Sequence, residues 1–289
     1  MNPYTRRTAV VSLGAVVAAG LTAPAAARDT AVRPTGPVPL RRAHAHNDYE
    51  HARPLLDALD HGFGSVEADI WLVDGRLLVA HEEGGLDPAR TLESLYLHPL
   101  RRRIRANGGT VYRGHQLSLQ LLIDLKTAGD PTYRALSRVL HGYRDLLSVC
   151  RAGRIHGGPV TAVISGDRGA RAPMEAERVR HAFYDGRPAD LGAVAPASFA
   201  PLVSASWTDL FGWQGVGPMP SAERERLRRL VAAAHGEGRR LRFWATPDAA
   251  GAAREAFPRA GPADGRSGHP LPLPGPSAGP LRRGGSAAV

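Results

Sequence analysis

Glu67 and Asp69 lie two residues apart in Ser65-Val66-Glu67-Ala68-Asp69-Ile70-Trp71-Leu72, a run that otherwise reads as a buried strand. In a strand, residues i and i+2 point to one face. The two carboxylates are therefore neighbours, with Val66, Ala68 and Ile70 on the opposite side. Acids held side by side repel, and burying either one unpaired is costly. A cation between them removes both problems, and hard oxygen ligands suit Mg²⁺ or Ca²⁺ better than zinc. Two histidines bracket the pair. His46 ends the strand-like piece before it, and His81 follows the Asp74-Gly75 hairpin signal and the returning run Arg76–Ala80. One imidazole as base, one as acid and a metal for the charge on phosphorus constitute a site for cleaving phosphodiesters.

The elements that must position these groups follow from the surrounding pattern. Apolar Leu55, Leu56 and Leu59 predict a helix over roughly Tyr49 to His61, stopped by Gly62 and Gly64. A second helix is expected from about Leu92 to Arg105. Leu117 to Leu125 is a near-continuous apolar run, as in a parallel strand buried on both faces, and it ends in Asp124-Leu125-Lys126. Further strands are expected at Pro159–Ser165, His181–Tyr184, Leu202–Trp207 and Leu241–Ala245. Helices are expected after Asp130-Pro131, over Met174–Arg180 and from Ser221. Strands alternating with helices argue for a parallel barrel or a doubly wound sheet.

These residues resemble the superfamily of glycerophosphodiester phosphodiesterases and phosphatidylinositol phospholipase C-like enzymes, which are TIM barrels. The likeness is to the branch whose first strand ends in HNDY. It is carried by His46-Asn47-Asp48-Tyr49, Glu67-x-Asp69, Asp74-Gly75 and His81-Glu82. It continues through Leu121–Lys126, Val163-Ile164-Ser165-Gly166 and Phe243–Asp248, covering about residues 40–257. The resemblance implies a metal-dependent phosphoric diester hydrolase acting on glycerophosphodiester or phospholipid-like substrates. His46 and His81 would share the acid and base roles, and Glu67, Asp69 and Asp124 would hold one divalent cation, Mg²⁺ or Ca²⁺. Lys126 would hold a phosphate oxygen as a point charge. Asn47 would bond phosphate or metal-bound water, and Trp244 would line the substrate pocket. His44, on the same face as His46, is equally open to a supporting role and to a plain core position.

A rival reading starts from His44-Ala45-His46, because amidohydrolases and histidinol-phosphatase-like metal hydrolases also open a barrel with H-x-H. Such sites need further histidines at later strand ends, and Glu67-x-Asp69 would then have no role. A third reading is an inactive or degraded relative.

The chain has 289 residues and a net charge of +10, enough length for one large barrel. Thr5-Arg6-Arg7-Thr8, an apolar run to Leu21 and Ala25-Ala26-Ala27 read as a twin-arginine or general secretory signal over 1–27, and hence a secreted protein. Its removal takes away Arg6 and Arg7, leaving +10 − 2 = +8. That charge suits peripheral contact with anionic lipid. The arginines are scattered without aromatic interleaving, so no nucleic-acid partner is expected, and the protein is expected to be a monomer. Cys150 is the one cysteine, so no internal disulfide forms. Residues 28–39 read as a linker into a barrel over 40–257. From Pro258 to Val289 the chain is rich in Pro, Gly, Ala and Arg without apolar periodicity, a tail too poor in apolar surface to fold. The abrupt switch is what an out-of-frame reading of GC-rich DNA gives. The eighth strand and final helix of a (β/α)8 barrel are expected to be missing, with low stability as the consequence.

Overall fold

The computed structural model describes residues 36–193 and 195–246, with the backbone of 285–287. The expected export signal, most of the linker and the tail apart from 285–287 lie outside the described residues, as do Pro247 and Asp248. The framework is a mixed α/β unit around one curled parallel sheet. Its seven parallel strands are β1 (Leu40–Ala45), β2 (Phe63–Val73), β4 (Leu119–Leu125), β7 (Val160–Gly166), β9 (Ala182–Gly186), β10 (Leu202–Ser206) and β11 (Arg240–Trp244), in that spatial order. β3 (Arg76–Val79) returns antiparallel to β2, and β12 (Gly285–Ala287) pairs antiparallel with β1. The small antiparallel sheet of β5 (Val149–Arg151), β6 (Arg154–His156) and β8 (Val179–Arg180) stands apart from the main one.

Alternation along β4 shows how the layers arise. Leu119, Leu121, Ile123 and Leu125 face outward into the large core shared with α1 (Leu56–Asp60), α2 (His98–Ala106), α3 (Gly129–His141) and α4 (Arg171–Ala176). Leu122 faces inward, where Val163, Phe183, Leu202 and Cys150 fill the concave side. Beyond them, α5 (Trp207–Leu210) and α6 (Ser221–Gly236) cover β10 and β11 through Trp207, Phe211, Leu227 and Phe243. The sheet is curled enough for side chains of β11 to reach the other end of the strand order: Arg240 donates to the carbonyl of Arg41 on β1 at 3.3 Å and to Gln120 Oε1 on β4 at 3.0 Å.

Two expected helices are cut short for local reasons. The stretch Tyr49–His61 becomes a single 3-10 turn, Asp48–Glu50, and the five-residue α1. Pro54 supplies no N–H and disfavours helical backbone at Arg53. Leu55 takes a left-handed φ of 65° and gives its N–H to Asp48 Oδ2 at 2.5 Å instead of to a helix. In the second case α4 ends at Ala176, and Val179–Arg180 joins β5 as a strand. Arg180 secures that strand by donating to the carbonyls of Ala182 and Ser198.

Candidate active site

The concave face of the sheet carries the chemistry at the carboxyl ends of its strands. β1 delivers His44 and then His46. Asn47, in left-handed backbone that asparagine tolerates (φ 48°), turns the chain so that Tyr49 folds back beneath β2. Glu67 and Asp69 project from β2, and strand register sets Asp69 opposite Asp124, which is opposite Ser165. The Asp74-Gly75 turn (φ 48° and 77°) reverses the chain into β3 and brings His81 back to the same mouth.

Each acid of β2 serves its own imidazole. Glu67 Oε2 lies 2.7 Å from His46 Nδ1, 2.9 Å from His44 Nε2 and 2.6 Å from Arg242 Nη2. Arg242 Nη2 also lies 3.0 Å from His46 Nδ1, but the carboxylate is nearer to both, and since it only accepts, both rings and the guanidinium donate to it and His46 keeps Nε2 free. Asp69 Oδ2 accepts from Tyr49 OH at 2.6 Å and lies 3.2 Å from His81 Nδ1 and 2.9 Å from Lys126 Nζ. Lys126 also reaches Asp124 Oδ1 at 3.2 Å, and Ser165 Oγ donates to Asp124 Oδ2 at 2.8 Å. Both histidines remain open to solvent, with side-chain exposures of 28% for His46 and 51% for His81.

The two acids differ electrostatically. Burial alone would raise the pKa of Glu67, but the Arg242 guanidinium and hydrogen bonds from both imidazoles more than offset it and hold the group well below the usual range. Asp69 is raised by burial and by the Glu67 charge, with Lys126 and Tyr49 offsetting only part. Its Oδ1 is buried without a hydrogen-bond partner. Burial works against the charge on Lys126, and Asp124 and Asp69 more than restore it. Burial, then Arg242, lowers His44 to about 4, so its ring is neutral.

Other expected residues fall as follows. Asn47 Nδ2 lies 3.5 Å from His81 Nδ1. Trp244 ends β11 two residues beyond Arg242 and is 40% exposed at the mouth. Glu67, Asp69 and Asp124 do not converge within 4.8 Å of one another. Among the described residues the group of three that does is His44, His46 and Glu67, and there Arg242 Nη2 already stands 2.6 Å from the shared oxygen. Asp167 is occupied by the N–H groups of Gly129 and Gly169.

Arg242 is the residue that sequence reasoning missed. It breaks an otherwise apolar strand as Glu67 and Asp69 do, and that was the available signal. In a chain whose 37 basic residues are almost all arginine, one more arginine carries no signal by type alone.

Asp48 supports the site from below. It is fully buried, accepts from the Leu55 N–H and from Tyr96 OH, and leaves Oδ1 without a partner. Burial raises its pKa to about 6. A carboxyl raised on folding contributes stability below its unfolded value, and loses it as pH rises through the folded one. Asp48→Asn should therefore gain on the parent by up to about 3 kcal/mol between acid and mildly alkaline pH, at 1.36 kcal/mol per unit. Urea denaturation at both pH values measures the change; a pH-independent difference would count against it.

Comparison with known proteins places this geometry. The AIM6-like phosphodiesterase domain family matches residues 32–185, more than half of the chain and all of the site except Arg242 and Trp244. The chain belongs to that family. Its relatives include the altered inheritance of mitochondria protein 6 homolog of Arthroderma benhamiae, 28% identical over 73% of this chain and 73% of the relative. The protein of that name from Eremothecium gossypii is 31% identical over 72% of this chain and 61% of its own length. The one from Saccharomyces cerevisiae is 28% identical over 73% and 62%. The chain thus spans about three-fifths of the latter two. No solved structure matches it.

Proposed function

We propose that this AIM6-like domain is a phosphoric diester hydrolase related to the glycerophosphodiester phosphodiesterase and phospholipase C-like enzymes, built on a TIM-type barrel. Its substrates are glycerophosphodiesters or phospholipid-like diesters. The observation that carries the reading is the pairing of two solvent-facing imidazoles with two separate carboxylates of one strand, His46 with Glu67 and His81 with Asp69. Water or a substrate hydroxyl attacks phosphorus. His46 is the base: Glu67, held ionised, accepts the Nδ1 proton and supports the charge gained when Nε2 takes a proton from the attacking oxygen. His81 gives a proton to the leaving alkoxide. Lys126 is positioned to bind a non-bridging phosphoryl oxygen as a compact charge, Asn47 to add a hydrogen bond, and Trp244 to wall the pocket.

By chemistry the donor set suits a hard divalent cation, which would have to draw the three carboxylates together and displace Lys126 Nζ from between Asp69 and Asp124. Glu67, Asp69 and Asp124 are oxygen ligands on adjacent strands, and buried Asp69 Oδ1 lacks a partner. Bound there, Mg²⁺ or Ca²⁺ would offset negative charge on the phosphoryl group. Stripping divalent cations with a chelator should lower turnover on the order of 10²-fold or more, with recovery on adding Mg²⁺ or Ca²⁺. Turnover indifferent to the chelator would remove the cation from the proposal. The H-x-H metal hydrolase reading has less support, because Arg242 Nη2 stands 2.6 Å from the Glu67 oxygen and 3.0 Å from the His46 nitrogen that converge with His44.

A further inference from the structure

We propose that His44 is a positioning residue that holds the Glu67 carboxylate against His46, and that a one-way chain of hydrogen bonds from Arg240 holds His44 in the tautomer this requires. The inference rests on the reading of His46 as base and adds the device that prepares it.

The direction of every link is set by what each group can do. Arg240 only donates, so Gln120 receives it on Oε1 at 3.0 Å and presents its Nε2 amide to Ser65. Gln120 Nε2 donates to Ser65 Oγ at 2.9 Å. At the far end, Glu67 only accepts, so His44 carries its proton on Nε2, 2.9 Å from Glu67 Oε2. His44 Nδ1 is then a bare acceptor, and the Ser65 hydroxyl fills it at 2.7 Å. Gln120, Ser65, His44 and Glu67 are all buried, so water offers none of them a substitute. The chain crosses the inside of the curled sheet from β11 through β4 and β2 to β1.

The consequence falls on His46. His44 and Arg242 both donate to Glu67 Oε2 and so pin that oxygen 2.7 Å from His46 Nδ1, which donates to it and leaves Nε2 facing the mouth unprotonated. If His44 took the other tautomer, it would turn a lone pair on Glu67 and a proton on Ser65 Oγ. Ser65 Oγ would then accept from both His44 and Gln120, and its own buried hydroxyl proton would be left without an acceptor. A buried network of this kind resists partial change, because each half-satisfied state leaves an unpaired group.

The test compares histidine-¹⁵N NMR tautomer signatures with kinetics. In the full-length parent at mildly alkaline pH, His44 should report Nε2–H and His46 Nδ1–H. His44→Leu removes one of the two donors that pin Glu67; the carboxylate can then turn away from His46, which should show mixed tautomers, and kcat should fall about 10–100-fold with KM little changed. His44→Gln, whose amide can still donate to Glu67, should recover most of that loss. Ser65→Ala supplies a gentler variant should His44→Leu fail to fold, and should give mixed His44 tautomers. Finding His44 as Nδ1–H in the parent overturns the proposal. So does a folded His44→Leu variant whose His46 stays pure Nδ1–H. Both readouts hold whether or not a diester is turned over, so they separate failure of the relay from failure of the hydrolase reading.

Discussion

Replacing His46 with alanine should lower kcat/KM on a phosphodiester by about 10²–10⁴-fold, the span expected for loss of a positioned general base. The argument is geometric before it is electrostatic. His46 Nδ1 lies 2.7 Å from Glu67 Oε2, which fixes the ring and its proton and leaves Nε2 open at the mouth. Glu67 is held ionised by Arg242 and two imidazoles, so the imidazolium that forms during turnover has a charge waiting for it. The His46 side chain is partly exposed and belongs to no apolar core, so truncation should leave the urea midpoint nearly unchanged. A variant that folds as the parent does and turns over at parental rate would remove His46 from the reaction. His81→Ala should show the companion loss, since Nδ1 of that ring lies 3.2 Å from Asp69 Oδ2 and 3.1 Å from Tyr49 OH.

Arg242→Met should be the most destabilising single change in the site, by about 3–5 kcal/mol, because it strands a buried carboxylate. Arg242 and Glu67 are each 5% exposed and meet at 2.6 Å. The cost is the charge left behind on Glu67, and two controls follow from that. The double variant Arg242→Met/Glu67→Gln should regain much of the lost stability, because no buried charge remains. The deficit of the single variant should also shrink as pH falls. In the parent, the depressed pKa of Glu67 contributes stability that is present above the unfolded carboxylate value and lost as pH drops through the folded one. Without Arg242 that depression weakens, Glu67 protonates more readily, and the penalty goes with it. Urea denaturation at neutral pH and near the carboxylate range measures both effects. A deficit independent of pH and unrelieved by Glu67→Gln would assign the loss to packing instead.

Much of the sheet was legible in the sequence because its signals are local. Buried parallel strands read as apolar runs, and two acids in such a run stand out against everything around them. Asp74-Gly75 is a turn whose positive φ angles suit its residues, so the return to His81 could be anticipated. Lys126 is the one lysine of the chain, and it lies between Asp69 and Asp124. What could not be read depends on distant partners. The helix after β1 is lost to an Asp48 carboxylate that captures the Leu55 N–H, a choice no periodicity records. The β5–β6 hairpin turns at Ala152-Gly153, with Ala152 at φ 48°, where alanine is no turn signal. The largest gap concerns the acid pair. Spacing put Glu67 and Asp69 on one face and suggested one shared cation. The structure gives each acid a histidine and a cationic side chain, Arg242 for one and Lys126 for the other, and the first of these comes from a strand 175 residues away.

The most direct test of two acid-held imidazoles cleaving a phosphodiester is ³¹P NMR of the purified full chain with a panel of glycerophosphodiesters and lysophospholipids. The His46→Ala/His81→Ala double variant serves as background. The predicted result is conversion of at least one diester to a monoester or cyclic product by the parent, and none above background by the double variant. Equal conversion by both proteins, or a folded parent supplied with Mg²⁺ and Ca²⁺ that leaves every diester intact, would contradict it.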